Sequence, residues 1–135
     1  MYRILIVDDI DDNVVLLKTL LETEGYAVES AAGGWAALRQ IKASRPDLIL
    51  LDVMMPDMSG YEVIERIRSK QDLSTIPIVL VTAYTDISRE EGLKMGANHF
   101  IRKPIDADKL LACVKALCSE IKAGEVESAD KTHAN

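Results

Sequence analysis

Short apolar runs alternate along the chain with longer segments in which apolar residues recur at a period of about 3.6. The runs are typical of β-strands and occupy residues 3–7, 26–31, 47–51, 76–81 and 98–101. The first, third and fourth runs are continuously apolar, as central strands of a parallel sheet are. This alternation predicts an α/β fold of five βα units, in which helices cover both faces of a parallel sheet.

Polar residues that cap helices mark the ends of the intervening segments. We expect helices to start near Asp11–Asn13, near Ser59–Gly60, at Asp86 or Ser88, and near Asp106, with Gly25 and Gly96 ending the first and fourth. Beyond residue 122 the sequence AGEVESADKTHAN is small and polar and has no periodicity. Residues 1–122 are therefore predicted to form one domain, and residues 123–135 a disordered tail.

Charge and hydropathy exclude two classes of partner. The net charge of -6 and the pI near 4.9 argue against nucleic-acid binding, which depends on clustered Lys and Arg. No apolar run approaches the ~18 residues of a membrane span, and the N-terminus MYRILIVDD does not resemble a signal peptide. We expect a cytoplasmic protein that binds neither nucleic acid nor membrane.

The residues that could take part in chemistry follow the ends of the predicted strands. Asp8 and Asp9 follow the first strand, Asp52 the third, Thr82 the fourth, and Lys103 the fifth. Each alone is as well explained by a helix cap, a turn or a solvated side chain. Because ligands of open parallel sheets bind at the carboxyl ends of the strands, the whole set together predicts a site.

The charges in this set predict a metal ion. Three carboxylates in close proximity repel one another unless a cation lies among them. Mg²⁺ prefers oxygen ligands, which suits Asp9, Asp52 and a nearby backbone carbonyl. A carboxylate beside Mg²⁺ can attack phosphorus while an ammonium and a hydroxyl group neutralise the transferring oxygens, which predicts an aspartyl phosphate.

Four sequence blocks resemble those of the response-regulator receiver domains of two-component signalling. They are ILIVDD, LILLDVMMPDMSG, VLVTA and FIRKP, at the first, third, fourth and fifth strands, and the resemblance covers residues 1 to about 122. It implies a flavodoxin-like, doubly wound sheet with strand order 2-1-3-4-5.

The resemblance also implies a role for each residue of the site. Asp52 would be the phosphoacceptor, and Thr82 and Lys103 would bind phosphoryl oxygens. Mg²⁺ would be held by Asp8, Asp9, Asp52 and the carbonyl group of Met54.

The same resemblance implies a conformational switch. Phosphate on Asp52 would draw in the Thr82 hydroxyl group and leave space for Phe100 to turn inward, changing the surface of the fourth helix, fifth strand and fifth helix. The alternative is that Phe100 is an ordinary apolar residue of an edge strand. The Lys103–Pro104 peptide bond is expected to be cis.

Two features depart from the pattern of the family. GGWAAL introduces Trp35 at the second helix, where it is either an anchor for a partner or packed against its own domain. Met54 and Tyr84 lie two residues beyond Asp52 and Thr82, where some relatives have polar residues that position water. Apolar bulk there predicts slow hydrolysis of the phosphoryl group.

The function implied is that of a stand-alone receiver that takes a phosphoryl group from a histidine kinase or a phosphotransfer protein. It would catalyse only its own Mg²⁺-dependent phosphorylation and dephosphorylation. It would act on an unidentified downstream protein, as a monomer or weak homodimer. Two alternatives stay open: a phosphorelay intermediate, and a phosphorylation-independent scaffold with the same fold.

Overall fold

The computed structural model describes the backbone of residues 1–83 and 87–133 and the side chains of residues 1–83 and 87–121. Five strands form one parallel sheet, with the order β2-β1-β3-β4-β5. The strands are β1 (Arg3–Val7), β2 (Ala27–Ala31), β3 (Leu48–Leu51), β4 (Ile78–Thr82) and β5 (His99–Arg102). The predicted fold and strand order are confirmed.

Five helices connect and follow the strands. They are α1 (Asp11–Thr23), α2 (Gly34–Ala43), α3 (Gly60–Arg68), α4 (Arg89–Lys94) and α5 (Ala107–His133). Within the described stretches of chain, none of these helices is both long and apolar enough to span a bilayer.

The sheet separates two apolar cores, because successive side chains of a strand point to opposite faces. In β1, Leu5 and Val7 pack into one core, and Ile4 and Ile6 into the other. The first core lies under α2 and α3, whose buried side chains are Ala37, Ile41, Val63, Ile64 and Ile67. The second lies under α1 and α5, with Leu17, Leu21, Leu110, Val114 and Leu117. Burial on both faces explains the continuous apolar runs in the sequence.

Side-chain caps fix where three helices begin. Ser59 accepts a hydrogen bond from the backbone N–H of Glu62, and Ser88 accepts one from Glu91. The carboxylate of Asp106 accepts one from the N–H of Lys109. Ser88, rather than Asp86, therefore caps α4; Asp86 itself lies outside the described residues.

The end of α5 differs from the sequence expectation in one respect. Its helical backbone continues from residue 122 to His133, where a disordered tail was predicted. Alanine and glutamate in this stretch favour helix, so the absence of an amphipathic pattern did not exclude one. The side chains of this part lie outside the described residues, and the boundary at residue 122 stays a prediction.

Candidate functional site

The acidic residues meet because β1 and β3 are neighbouring parallel strands. Val7 is paired with Leu51, so the residues that follow, Asp8 and Asp52, emerge side by side. The N–H of Asp52 donates to the carbonyl group of Val7, at 3.0 Å, which extends the strand pairing to the site itself. Asp8, Asp9 and Asp52 each offer an oxygen atom, and these atoms lie within 4.8 Å of one another.

Burial makes this cluster electrostatically costly. Asp8 is 3% exposed and Asp52 6% exposed. Burial raises the pKa of the Asp52 carboxyl group above its ordinary value, Lys103 lowers it by less, and Asp8 raises it further. An ionised Asp52 is therefore disfavoured in the absence of an additional positive charge.

A hard divalent cation fits the cluster. Oδ1 of Asp9 is buried and has no hydrogen-bond partner among the described residues, and buried polar oxygens of this kind normally have one. Three carboxylate oxygens within a few ångströms are the ligand type that Mg²⁺ prefers. The Asp8, Asp9 and Asp52 side chains are therefore placed as the sequence prediction required.

Lys103 supplies the positive charge of the site. Its Nζ atom lies 3.0 Å from Oδ2 of Asp8 and 3.6 Å from Oδ2 of Asp52. The backbone N–H of Lys103 donates to the carbonyl group of Thr82, and the Lys103–Pro104 peptide bond is cis, as predicted. Lys103 faces Asp52, as expected, but in this structure its shorter contact is with Asp8.

Thr82 and Met54 are the remaining residues of the predicted site. Thr82 is the last residue of β4, next to β3, and is fully buried. The backbone N–H of Met54 donates to Oδ1 of Asp52 at 3.3 Å. The Met54 side chain is 58% exposed and so does not enclose the site, whereas Tyr84 lies outside the described residues. Slow hydrolysis of a phosphoryl group stays a prediction.

Phe100 lies in a different position from the one that the switch hypothesis assumed. Its side chain is only 8% exposed and belongs to the core beneath α2 and α3. The guanidinium group of Arg102 lies 5.0 Å from the ring centroid and donates to the carbonyl group of Ile87. The ring is thus already turned inward, and the expectation of an outward starting position does not describe this structure.

Two residues that were not predicted to belong to the site, Asp57 and Gly60, shape the loop after Asp52. The Asp57 carboxylate accepts hydrogen bonds from the backbone N–H groups of Gly34 and Trp35, both at 3.1 Å. A Cβ atom at Gly60 would lie 2.5 Å from the carbonyl oxygen of Asp52, so only glycine allows this approach. A signal for Asp57 was present: the N-cap of α2 is Gly33, which has no side chain to cap the helix.

Comparison with known proteins gives the family. The sequence model described as "Response regulator receiver domain" matches residues 4–115. Response regulator PleD of Caulobacter vibrioides is 45% identical over 116 residues, which are 85% of this chain and 26% of PleD. Response regulator MprA of Mycobacterium ulcerans is 42% identical over 131 residues, which are 95% of this chain and 55% of MprA. The chain thus spans between about a quarter and about half of these relatives.

A solved structure gives the same result at the level of the fold. The response regulator protein TrrA of Thermotoga maritima, in complex with Mg(2+)-BeF, is 38% identical. The two structures superpose with a TM-score of 0.79 over 87% of this chain and 99% of TrrA. The family model matches most of the length of the chain, and the cluster of Asp8, Asp9 and Asp52 lies in the sequence blocks that resemble those of the family. This chain therefore belongs to the response regulator receiver domains.

Proposed function

We propose that this receiver domain accepts a phosphoryl group on Asp52 from a histidine kinase or a phosphotransfer protein. The observation that carries the proposal is the buried Asp52 carboxylate with Nζ of Lys103 at 3.6 Å and two further carboxylates within 4.8 Å. An oxygen atom of Asp52 attacks phosphorus, and the P–N bond of a phosphohistidine donor breaks. The departing imidazole nitrogen keeps the electron pair.

The neighbours of Asp52 have distinct roles in this transfer. Asp8, Asp9, Asp52 and the Met54 carbonyl group would hold Mg²⁺, which neutralises charge on the transferring oxygens. TrrA, which is 38% identical to this chain, is in complex with Mg(2+)-BeF, and this supports a magnesium ion at the corresponding edge of the sheet here. Lys103 positions a phosphoryl oxygen, and the hydroxyl group of Thr82 binds another.

Signalling then follows from a population shift. Contact between the phosphoryl group and Thr82 favours the arrangement in which the ring of Phe100 is buried, as it is in this structure. A differential contact of this kind is required, because a ligand shifts an equilibrium only by binding one state better. Thr82→Ala is therefore expected to be phosphorylated but to respond weakly. An unchanged partner response in Thr82→Ala would contradict the coupling.

Transfer to wild-type protein and to Asp52→Asn, from a histidine kinase and from phosphoramidate, tests the proposal. We expect incorporation by wild type and by Asp12→Asn, a matched control on the exposed first turn of α1, but not by Asp52→Asn. A phosphorylation-independent scaffold would incorporate nothing in any of the three proteins. The presence of all three carboxylates of the cluster favours phosphorylation on Asp52 over the phosphorylation-independent scaffold.

The remaining parts of the interpretation are extensions of this proposal. The cytoplasmic location, the state of monomer or weak homodimer, and the action on a downstream protein stay predictions. Because the curated relatives are longer, independent action as a stand-alone receiver also stays a prediction. Phosphoryl transfer from Asp52 onward to a histidine would identify a phosphorelay intermediate instead.

A further inference from the structure

A groove between α2 and α3 is lined by an aromatic side chain and by several basic side chains. It has a volume of about 320 Å³. Its lining includes the apolar side chains of Trp35 and Leu38 and the basic side chains of Arg39, Lys42, Arg66 and Lys70. We call these six residues the α2–α3 groove. It lies on the sheet face opposite to α1 and α5 and contains none of the residues of the phosphorylation site.

The charge of the groove is opposite to that of the chain. All four ionisable residues of the groove are basic, although the chain has a net charge of -6. Arg39, Lys42 and Lys70 form no ion pair or side-chain hydrogen bond within the described part of the chain. Cations in the last turns of helices complement the helix dipoles, which accounts for part of this pattern. The helix dipoles do not explain why the exposed aromatic side chain of Trp35 lies in the same groove as these cations.

Trp35 is held in place in the groove. It is 47% exposed, and the guanidinium group of Arg66 lies 4.8 Å from its ring centroid. Its backbone N–H is bound by Asp57, which fixes the position of its Cα atom. One part of the ring packs on Arg66 while the rest faces solvent, so the role of Trp35 as an anchor for a partner stays a prediction. Tryptophan and arginine are the residues most enriched in binding hot spots.

The spacing of the cations favours an extended ligand. Arg39 and Lys42 are about one turn apart on α2, and a turn rises about 5.4 Å. Arg66 lies in the last turn of α3, and Lys70 follows the end of that helix. The groove therefore presents cations from α2 and from the C-terminal end of α3 beside the apolar side chains of Trp35 and Leu38. Glu62 and Glu65 line an adjacent cavity together with Arg66, so acidic residues border the groove on one side and limit its basic surface.

We propose that the α2–α3 groove binds an acidic segment of a partner protein. An apolar side chain of that segment packs on Trp35, and its carboxylates pair with Arg39, Lys42 and Lys70. Charge complementarity selects this occupant, because the groove is basic and apolar in a chain that is otherwise acidic. The proposal is independent of whether Asp52 is phosphorylated.

A peptide titration of the full chain tests this proposal. The probe is a short peptide of glutamate and leucine, capped at both ends, and the comparison peptide has glutamine in place of glutamate. Because Trp35 is the only tryptophan, its fluorescence reports occupancy directly. Backbone amide shifts in NMR spectra give the location. We expect changes confined to α2 and α3, and binding of the glutamate peptide that weakens with added salt.

Charge reversal gives the matched comparison. Arg39→Glu combined with Lys42→Glu should weaken binding about tenfold or more. Lys18→Glu combined with Lys109→Glu makes the same change of charge on α1 and α5, at exposed sites, and should leave binding unchanged. Circular dichroism of both variants verifies that they are folded.

Three results would overturn the proposal. Equal binding of the glutamine peptide would remove the role of charge. Equal weakening in the Lys18 and Lys109 variant would indicate non-specific attraction. The third result is displacement of the peptide by ATP at a concentration lower than the one at which the peptide itself binds. This result would assign the groove to a small phosphorylated ligand.

Discussion

Asp52 carries a charge that its surroundings disfavour. Burial raises its pKa, and Asp8 adds repulsion that Lys103 only partly offsets. A carboxyl group whose pKa is raised by folding lowers stability as the pH rises from its ordinary pKa through the raised value. The reactivity of the site thus has a cost in stability in the metal-free protein.

Asp52→Asn should therefore stabilise the metal-free protein at neutral pH. We expect a gain in the free energy of unfolding on the order of 1 kcal/mol, the usual size of a single-residue effect. The gain should disappear below the ordinary carboxyl pKa of 3.8, where wild-type Asp52 is protonated in both states. Urea unfolding at several pH values measures this difference.

Mg²⁺ and Asp12→Asn provide the controls for this prediction. Saturating Mg²⁺ should stabilise wild type more than Asp52→Asn, since the ion binds the folded carboxylates. Asp12→Asn, in the first turn of α1, should show no comparable gain. Destabilisation by Asp52→Asn in metal-free buffer would contradict the electrostatic account.

At the scale of elements, Asp57 connects the loop after β3 to the start of α2. Its carboxylate accepts from the N–H groups of Gly34 and Trp35, and these two bonds lower its pKa, the one from Trp35 most. A carboxyl group with a lowered folded pKa contributes stability above its ordinary pKa and loses it as the pH falls through the folded value. The cap is thus present at neutral pH and lost in acid.

Asp57→Asn should therefore loosen the first turn of α2 at neutral pH. Amide hydrogen exchange at Gly34 and Trp35 should become faster, while exchange in the β-strands stays unchanged. As the pH falls below 3.8 and through the lowered folded pKa of Asp57, the wild-type protein should approach the behaviour of the variant. Asp72→Asn, at another exposed loop position, is the control. Equal exchange in wild type and Asp57→Asn at neutral pH would show that the cap has no effect.

A second prediction at this scale concerns α4 and β5. A methyl group at Gly92 would lie 2.9 Å from Cδ2 of Phe100 and 3.1 Å from Cδ1 of Leu80. Helix propensity alone predicts that Gly92→Ala gains about 1 kcal/mol. Because the ring must move, we expect a net loss of about 1 kcal/mol and a more exposed Phe100.

Fluorine NMR measures the position of this ring directly, since Phe100 is the only phenylalanine of the chain. With fluorinated phenylalanine incorporated, Gly92→Ala should shift the resonance toward its solvent-exposed value. Glu90→Ala, on the exposed side of α4, should leave the resonance in place. A stabilised Gly92→Ala with an unshifted resonance would show that α4 does not restrain the ring.

At the scale of the whole molecule, the sheet and its acidic edge were predictable because they depend on local patterns. Continuously apolar runs identified β1 and β3 to within one residue of their observed ends. The run at 76–81 overshot the start of β4, Ile78, because Ile76 is buried outside the strand and Pro77 has no N–H to donate. Parallel neighbours then bring the residues after each strand to one edge.

Other features were not predictable because they depend on how distant segments pack. Three such features each involve residues that are far apart in the sequence. They are the shorter contact of Lys103 with Asp8, the cap that Asp57 provides for α2, and the packing of the Phe100 ring in the core. No local pattern encodes such distances. The α2–α3 groove is of the same kind, because its cations come from α2 and from the end of α3 and the residues after it, which the sequence does not place side by side.

The central claim is that metal, ammonium and carboxylate groups at one sheet edge make Asp52 the phosphoacceptor. Its most direct test is mass-spectrometric location of the phosphoryl group after incubation with phosphoramidate, with and without Mg²⁺. The account predicts one added phosphoryl group, on the peptide that contains Asp52, only when Mg²⁺ is present. Phosphorylation at another residue, or equal incorporation at Asp52 in the presence of a chelator, would contradict it.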